Sequence, residues 1–92
     1  MKKKIVILGS TGSIGKTTFN IVKNNRKDFD IVLLTTNKNS STILKQAKLL
    51  KVKNILISNL KQYLRLKKIL KKGKINIYNN LDDLPKIIKK KN

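Results

Sequence analysis

The most constraining feature of the sequence is an apolar run at 5–8 that ends in three evenly spaced glycines, Gly9, Gly12 and Gly15. A short apolar run that stops at a glycine is typical of a buried strand followed by a tight turn. The following residues then fall on one predicted helix face: Ile14, Thr18, Ile21 and Val22. The stretch therefore predicts strand, glycine turn and helix, which is the opening of a βαβ unit whose helix N-terminus can hold a phosphate.

Each glycine has its own predicted role in that turn. Gly9 can adopt a positive φ and let the chain leave the strand sharply. Gly12 leaves room for a pyrophosphate to reach the backbone N–H groups, and Gly15 lets the helix pack closely on the first strand. Hydroxyl donors surround the same point at Ser10, Thr11 and Ser13. An ordinary structural glycine loop is the alternative interpretation.

A second phosphate-binding motif overlaps the turn. Residues 10–17 read STGSIGKT, and their GKT end matches the phosphate loop of P-loop enzymes. Ser10 replaces the first glycine of that loop, however, and no aspartate follows a later apolar strand to help hold magnesium. The residues therefore favour dinucleotide binding, with a P-loop-like nucleotide-binding protein as the alternative.

Predicted strands and helices alternate along the remaining chain. Apolar runs predict strands at 30–36, 54–58 and 74–78. Helices are predicted between them, one capped by Ser40 or Ser41 and the next by Asn59. This alternation predicts an α/β fold, a Rossmann-like parallel sheet with helices on both faces, truncated after about four βα units.

The end of the second predicted strand distinguishes between cofactors. NAD sites place an Asp or Glu about 20 residues past the glycines, where it binds the ribose 2′-hydroxyl. Here the segment contains Asn37, Lys38 and Asn39 and no carboxylate. A carboxylate would repel the 2′-phosphate of NADP, whereas Lys38 would attract it, so the segment favours NADP over NAD.

The composition adds a further function class and excludes others. The formal net charge is +19, from 23 Lys and Arg against 4 Asp and Glu, which makes a basic nucleic-acid-binding fragment a second alternative. The lysines are spread along the chain, however, and the few aromatic residues are not interleaved with them as a stacking platform requires. Without cysteine or histidine, thiol catalysis and imidazole bases are excluded. No apolar run approaches the roughly 18 residues of a membrane span.

Residues 4–15 resemble the N-terminus of the 1-deoxy-D-xylulose 5-phosphate reductoisomerase family, most specifically in LGSTGSIG at 8–15. The resemblance implies an NADPH-dependent oxidoreductase and isomerase of non-mevalonate isoprenoid (terpenoid) biosynthesis. That enzyme converts 1-deoxy-D-xylulose 5-phosphate to 2-C-methyl-D-erythritol 4-phosphate with Mg²⁺ or Mn²⁺. It also implies a homodimer that is cytoplasmic, or located in a plastid-type organelle in a eukaryote. The spread of the lysines along the chain predicts that nucleic acid is bound only non-specifically.

The resemblance also implies which residues bind the cofactor. They are Gly9, Thr11, Gly12, Ser13, Ile14, Gly15, Asn37, Lys38 and Asn39. Backbone N–H groups of residues 11–14 would contact the pyrophosphate, and Lys38 with Asn39 the adenosine phosphate. Asn37 stands where the family has glycine, and asparagine tolerates the positive φ of such a turn.

No catalytic residue or metal ligand is assigned to this chain. The metal-binding carboxylates, the substrate-phosphate site and the flexible loop of the family lie downstream of the matched region. The acidic residues of this chain are not paired near the glycine turn: Asp28, Asp30, Asp82 and Asp83. We therefore expect residues 1–92 to be a partial N-terminal NADP-binding Rossmann domain that is inactive alone.

Overall fold

Strands and helices alternate in the computed structural model, which describes residues 2–70, 74–85 and 87. The strands are β1 (Lys3–Ile7), β2 (Phe29–Thr36), β3 (Asn54–Ile57) and β4 (Asn76–Tyr78). The helices are α1 (Ser13–Asn24), α2 (Ser40–Leu50) and α3 (Leu60–Ile69), and a 3₁₀ turn at Leu81–Asp83 follows β4. The predicted α/β alternation is confirmed, with β4 shorter than the predicted strand.

The four strands form one parallel sheet in the order β1-β2-β3-β4. Because every strand runs in the same direction, the carboxyl ends of all four meet at one edge. The loops that follow β1 and β2 are therefore neighbours at that edge, where ligands bind in open α/β sheets. The Rossmann-like parallel sheet predicted from the sequence is confirmed.

Two apolar cores cover the two faces of the sheet. All three helices contribute to the larger one, which consists of Ile7, Phe19, Val22, Ile31, Leu34, Ile43, Ala47, Val52, Ile55, Ile57 and Leu66. The opposite face carries Val32, Leu33 and Leu56, covered by Leu84 and Ile87. The backbone is helical at Leu84, Pro85 and Ile87, so helical segments lie on both faces. Strand β2 is buried on both sides from Ile31 onward because the two cores cover both of its faces there.

A β-bulge interrupts the pairing of β1 with β2. Ile5 pairs with Ile31, but the next residue, Val6, pairs with Leu33, so Val32 is an extra residue in β2. Val32 and Leu33 consequently both belong to the smaller core, while Ile31 before them and Leu34 after them belong to the larger one.

The buried face of α1 differs from the predicted one. Gly15, Phe19 and Val22 face the core, whereas Ile14 is 85% exposed and Ile21 is 55% exposed. Gly15 determines this orientation, because a Cβ there would lie 1.9 Å from the carbonyl oxygen of Gly9. The helix is closest to the turn at Gly15, and Ile14 lies about 100° around the helix axis from it.

The cap of α2 is one residue earlier than predicted. The Asn39 side chain, not that of Ser40 or Ser41, accepts a hydrogen bond from the Thr42 N–H. Ser40 is buried instead, and its hydroxyl donates to Gln62 Oε1 (3.0 Å). Asn59 caps α3 as predicted, by accepting from the Gln62 N–H (3.0 Å).

The close approach at Gly15 predicts a difference between two glycines of the same turn. Gly15→Ala should lower the free energy of unfolding by about 3 kcal/mol or more, because the new methyl group overlaps backbone. Gly12→Ala is the matched control: its Cβ meets only Gly9 O at 3.5 Å. It should cost about 1 kcal/mol or less, since Gly12 is the N-cap of α1. Urea unfolding followed by circular dichroism measures both; equal losses would contradict this account of the helix packing.

Candidate nucleotide-binding site

The glycine turn after β1 is fastened to the end of β2. Gly9 has φ +65°, the positive value expected from the sequence. Its N–H donates to the Thr35 hydroxyl (2.8 Å), and the Ser10 N–H donates to the Thr35 carbonyl (2.8 Å). The Gly12 N–H donates back to Gly9 O (3.0 Å), which closes the turn.

Two of the three predicted hydroxyl donors are directed at the protein. Ser10 is fully buried, and its Oγ donates to Gln46 Oε1 (2.8 Å). The hydroxyls of Thr11 and Thr36 share a hydrogen bond of 2.7 Å. Ser13 is exposed in the first turn of α1. The sequence-based role of Ser10 as a donor to a phosphate is therefore wrong, because its hydroxyl is sequestered behind the turn.

Gln46 contacts the glycine turn and was not identified as a candidate residue from the sequence. It lies on α2 with only 7% of its surface exposed, and its Nε2 donates to the Ser10 carbonyl (2.9 Å). A glutamine in a helix is ordinarily solvent-exposed. The available signal was its position between Ile43 and Ala47, both buried, on the apolar side of α2.

The N-terminus of α1 can bind an anion. Gly12 caps the helix with extended backbone (φ −79°, ψ 175°) and no side-chain hydrogen bond, and the first turn contains no acidic residue. In the described part of the chain, the N–H groups of Ser13, Ile14 and Gly15 have no backbone or side-chain acceptor. Free N–H groups and the positive end of the helix dipole favour a phosphate at this position.

The space beside the turn is open. A cleft of about 700 Å³ runs from the end of β1 past the glycines to the first turns of α1, and it includes Leu8, Gly12, Ile14 and Thr18. Leu8 is 65% exposed there. The fold does not require glycine at position 12, since a Cβ would make only an ordinary contact. The lack of a side chain at Gly12 therefore keeps the cleft open at the helix N-terminus.

The loop after β2 lies next to the glycine turn, joined to it through the Thr11–Thr36 hydrogen bond. Asn37, Lys38 and Asn39 are all exposed, and Lys38 supplies the only charge among them. The side chain of Asn39 is used as the cap of α2. The predicted residues of the two loops are thus brought together at one edge of the sheet.

Asn37 does not need the positive φ that its glycine-like position suggested. Among the described non-glycine residues, only Lys51 has a positive φ. Asn37 is held by the next loop instead: its Oδ1 accepts from Ser58 Oγ (2.8 Å), and its carbonyl accepts from the Asn59 N–H (2.9 Å). These bonds direct the Asn37 side chain toward the loop after β3.

Neither the glycine turn nor the loop that follows β2 contains an acidic side chain. Asp28 and Asp30 lie at the amino end of β2, where Asp30 is opposite Lys4 in the strand register, and Asp82 and Asp83 lie in the 3₁₀ turn that follows β4. The described residues contain no group of three or more His, Cys, Asp or Glu side chains that could hold a metal ion. None of the helices in the described ranges is long and apolar enough to cross a bilayer.

Comparison with known proteins places this arrangement in a family. The family model of 1-deoxy-D-xylulose 5-phosphate reductoisomerase matches residues 5–92. The reductoisomerase of Pelagibacter ubique is 46% identical over 90 residues, covering 98% of this chain and 23% of the relative. That of Buchnera aphidicola subsp. Schizaphis graminum is 48% identical over 73 residues, covering 79% and 18%. The chain thus spans about a quarter or less of the length of these relatives.

Solved structures agree with the sequence comparison. The Zymomonas mobilis reductoisomerase in complex with NADPH superposes with a TM-score of 0.82 at 26% identity, covering 95% of this chain and 23% of the other. A reductoisomerase in complex with magnesium gives a TM-score of 0.81 at 25% identity, with 95% and 22% covered. Because the family model matches nearly the whole of this chain, the chain belongs to the 1-deoxy-D-xylulose 5-phosphate reductoisomerase family.

Proposed function

We propose that this chain supplies the NADPH-binding part of an enzyme that converts 1-deoxy-D-xylulose 5-phosphate to 2-C-methyl-D-erythritol 4-phosphate. The observation that carries the proposal is the pairing of a bare helix N-terminus with a carboxylate-free, lysine-bearing loop at one edge of the sheet. The NADPH complex of the Zymomonas mobilis relative supports it. We assign residues 1–92 to the N-terminal NADP-binding part of a Rossmann domain.

The glycine turn and α1 would bind the pyrophosphate. The N–H groups of Ser13 and Ile14 would donate to its oxygens, and the helix dipole favours the negative charge there. Gly12 admits the pyrophosphate because no side chain stands over the helix N-terminus. The N–H of Gly12 itself is already bonded to Gly9 O, so Gly12 would act through its small size.

Lys38 would select the phosphorylated cofactor. It is exposed in the loop after β2, and its ammonium group would pair with the 2′-phosphate of NADPH. Asn39 would contact the adenosine end from the N-cap position of α2, where its side chain also caps the helix. Asn37 would border the same end with its side chain held away by Ser58.

The divalent cation of the family has no fitting ligand set here. Mg²⁺ and Mn²⁺ require several oxygen ligands, typically carboxylates, and the described residues contain no such cluster. We therefore assign neither a catalytic step nor a metal ligand to this chain, and we propose that it is inactive alone. From the family resemblance we also propose a cytoplasmic or plastid location and a homodimer. From the spread of the lysines along the chain we propose only non-specific contact with nucleic acid.

A direct titration tests the proposal. NADPH, ATP with Mg²⁺, and RNA are each titrated into the protein at physiological salt, with intrinsic cofactor fluorescence or calorimetry as the readout. NADPH should bind most tightly, because only NADPH engages both the helix N-terminus and Lys38. Tighter binding of ATP with Mg²⁺ would instead favour the P-loop alternative, and tighter binding of RNA the nucleic-acid alternative.

Replacement of Lys38 should change cofactor preference. We expect Lys38→Ala to weaken NADPH binding roughly tenfold to a hundredfold and NADH binding by less than about twofold, because only NADPH carries the 2′-phosphate. Lys53→Ala is the matched control, since Lys53 is exposed just before β3 at the opposite edge. It removes the same charge from the whole protein but should leave both affinities unchanged. Equal losses for NADPH and NADH in Lys38→Ala would contradict a 2′-phosphate contact.

Replacement of Gly12 should block the pyrophosphate. Gly12→Val places a branched side chain over the helix N-terminus, and NADPH and NADH binding should both be abolished by steric exclusion. The extended backbone at position 12 accommodates valine, so the variant should still fold. Circular dichroism checks the fold and a cofactor titration checks the binding. Retention of NADPH affinity in a folded Gly12→Val protein would place the pyrophosphate elsewhere.

A further inference from the structure

Gln46 makes an unusual contact for a residue on the core side of a helix. Its side-chain amide makes two reciprocal hydrogen bonds with Ser10, which is 36 positions earlier in the chain: Ser10 Oγ donates to Oε1 (2.8 Å), and Nε2 donates to Ser10 O (2.9 Å). We propose that Gln46 is a positioning residue that fixes the geometry of the cofactor-binding turn. The inference rests on the proposed NADPH site.

The free-energy cost of burying a polar group explains why the Gln46 amide must be paired with Ser10. A buried amide destabilises the fold unless its donors and acceptors are satisfied, whereas an apolar side chain at the same place contributes to the core directly. Ile43 and Ala47 flank Gln46 on the buried side of α2. The amide is therefore compatible with this position because it is matched to Ser10, and it specifies one arrangement of the turn.

Every hydrogen-bonding group of Ser10 has a partner in Thr35 or Gln46. The Ser10 N–H is bonded to Thr35, and its hydroxyl and carbonyl are both bonded to Gln46. Ser10 lies directly between Gly9, which has a positive φ, and the residues that lead into the helix N-terminus. Fixing Ser10 thus fixes the direction in which the following N–H groups point. A turn that is already ordered loses less conformational entropy when a ligand binds.

Gln46 also connects the two halves of the proposed site. It belongs to α2, and the same helix begins immediately after Asn39, which caps it. One rigid element therefore carries the Lys38 loop at its N-terminus and holds the glycine turn through a side chain in its second half. The distance between the pyrophosphate position and the 2′-phosphate position is set by this connection.

Gln46→Met tests the proposal, because methionine keeps the length and helix propensity but removes both hydrogen bonds. The dissociation constant of NADPH should rise about tenfold. Adenosine 2′-monophosphate has neither a pyrophosphate nor a 5′-phosphate. Its dissociation constant should change by less than about twofold, because Asn39 still caps α2 and the Lys38 loop therefore keeps its position. An unchanged NADPH affinity, or equal losses for both ligands, would overturn the positioning role.

Asn54→Leu is the matched control for lost stability. Asn54 is also a buried amide; its Nδ2 donates to Val32 O (3.0 Å), but it begins β3 at the amino edge of the sheet, away from the turn. We expect Asn54→Leu to lower the free energy of unfolding as Gln46→Met does, without lowering the affinity for NADPH. Weakening of NADPH by Asn54→Leu to the same degree would mean that stability alone controls affinity, which overturns the proposal.

A second measurement in the absence of ligand separates this inference from the proposed function. Amide hydrogen exchange of Gly9 and Ser10 should accelerate about tenfold in Gln46→Met, less in Ser10→Ala, which keeps the Nε2 bond, and not in Asn54→Leu. Unchanged exchange rates of these two amides in Gln46→Met would overturn the proposal that Gln46 orders the turn. Failure of the unmodified protein to bind NADPH would overturn the proposed function, while the exchange result would still decide whether Gln46 orders the turn.

Discussion

The contact between Gly15 and the backbone of Gly9 and Ser10 determines most of this structure. Because Gly15 has no Cβ, α1 can approach the end of β1 until backbone meets backbone. That approach selects the face of α1 that is buried, and it places the helix N-terminus directly over the glycine turn. The anion-binding geometry and the packing of the first βαβ unit are thus consequences of the same missing methyl group.

The sequence predicted the parts of the fold that depend on local pattern. The glycine spacing and the buried second strand were sufficient to predict the parallel sheet and the position of the turn. The orientation of α1 could not be predicted from apolar periodicity, because Ile14 and Ile21 compete with Phe19 for the buried face and only the three-dimensional contact at Gly15 decides between them. Gln46 was missed for a related reason: its partner is on a distant part of the chain.

The charges at the proposed site favour a negatively charged ligand. Among the described residues, neither the glycine turn nor the first turn of α1 contains an acidic side chain; Asp28 and Asp30 lie at the amino end of β2, and Asp82 and Asp83 follow β4. The helix dipole and Lys38 would therefore act together on a phosphate at the proposed site. In a chain with a formal charge of +19, general attraction for anions is expected everywhere. Discrimination must instead come from placement, which the two loops provide.

The bulge in β2 divides that strand into two segments with opposite alternation. Before the bulge, the odd-numbered residue Ile31 faces the helices. After the bulge at Val32, the even-numbered residue Leu34 faces them. The strand can therefore satisfy both apolar cores along its length and still end with Thr35 and Thr36 bonded to the glycine turn. A strand with uninterrupted alternation would exchange the two faces at its carboxyl end. The inserted residue thus reverses which side chains face each core after Val32. Both the packing of the two cores and the bonds from β2 to the glycine turn can then form in one strand.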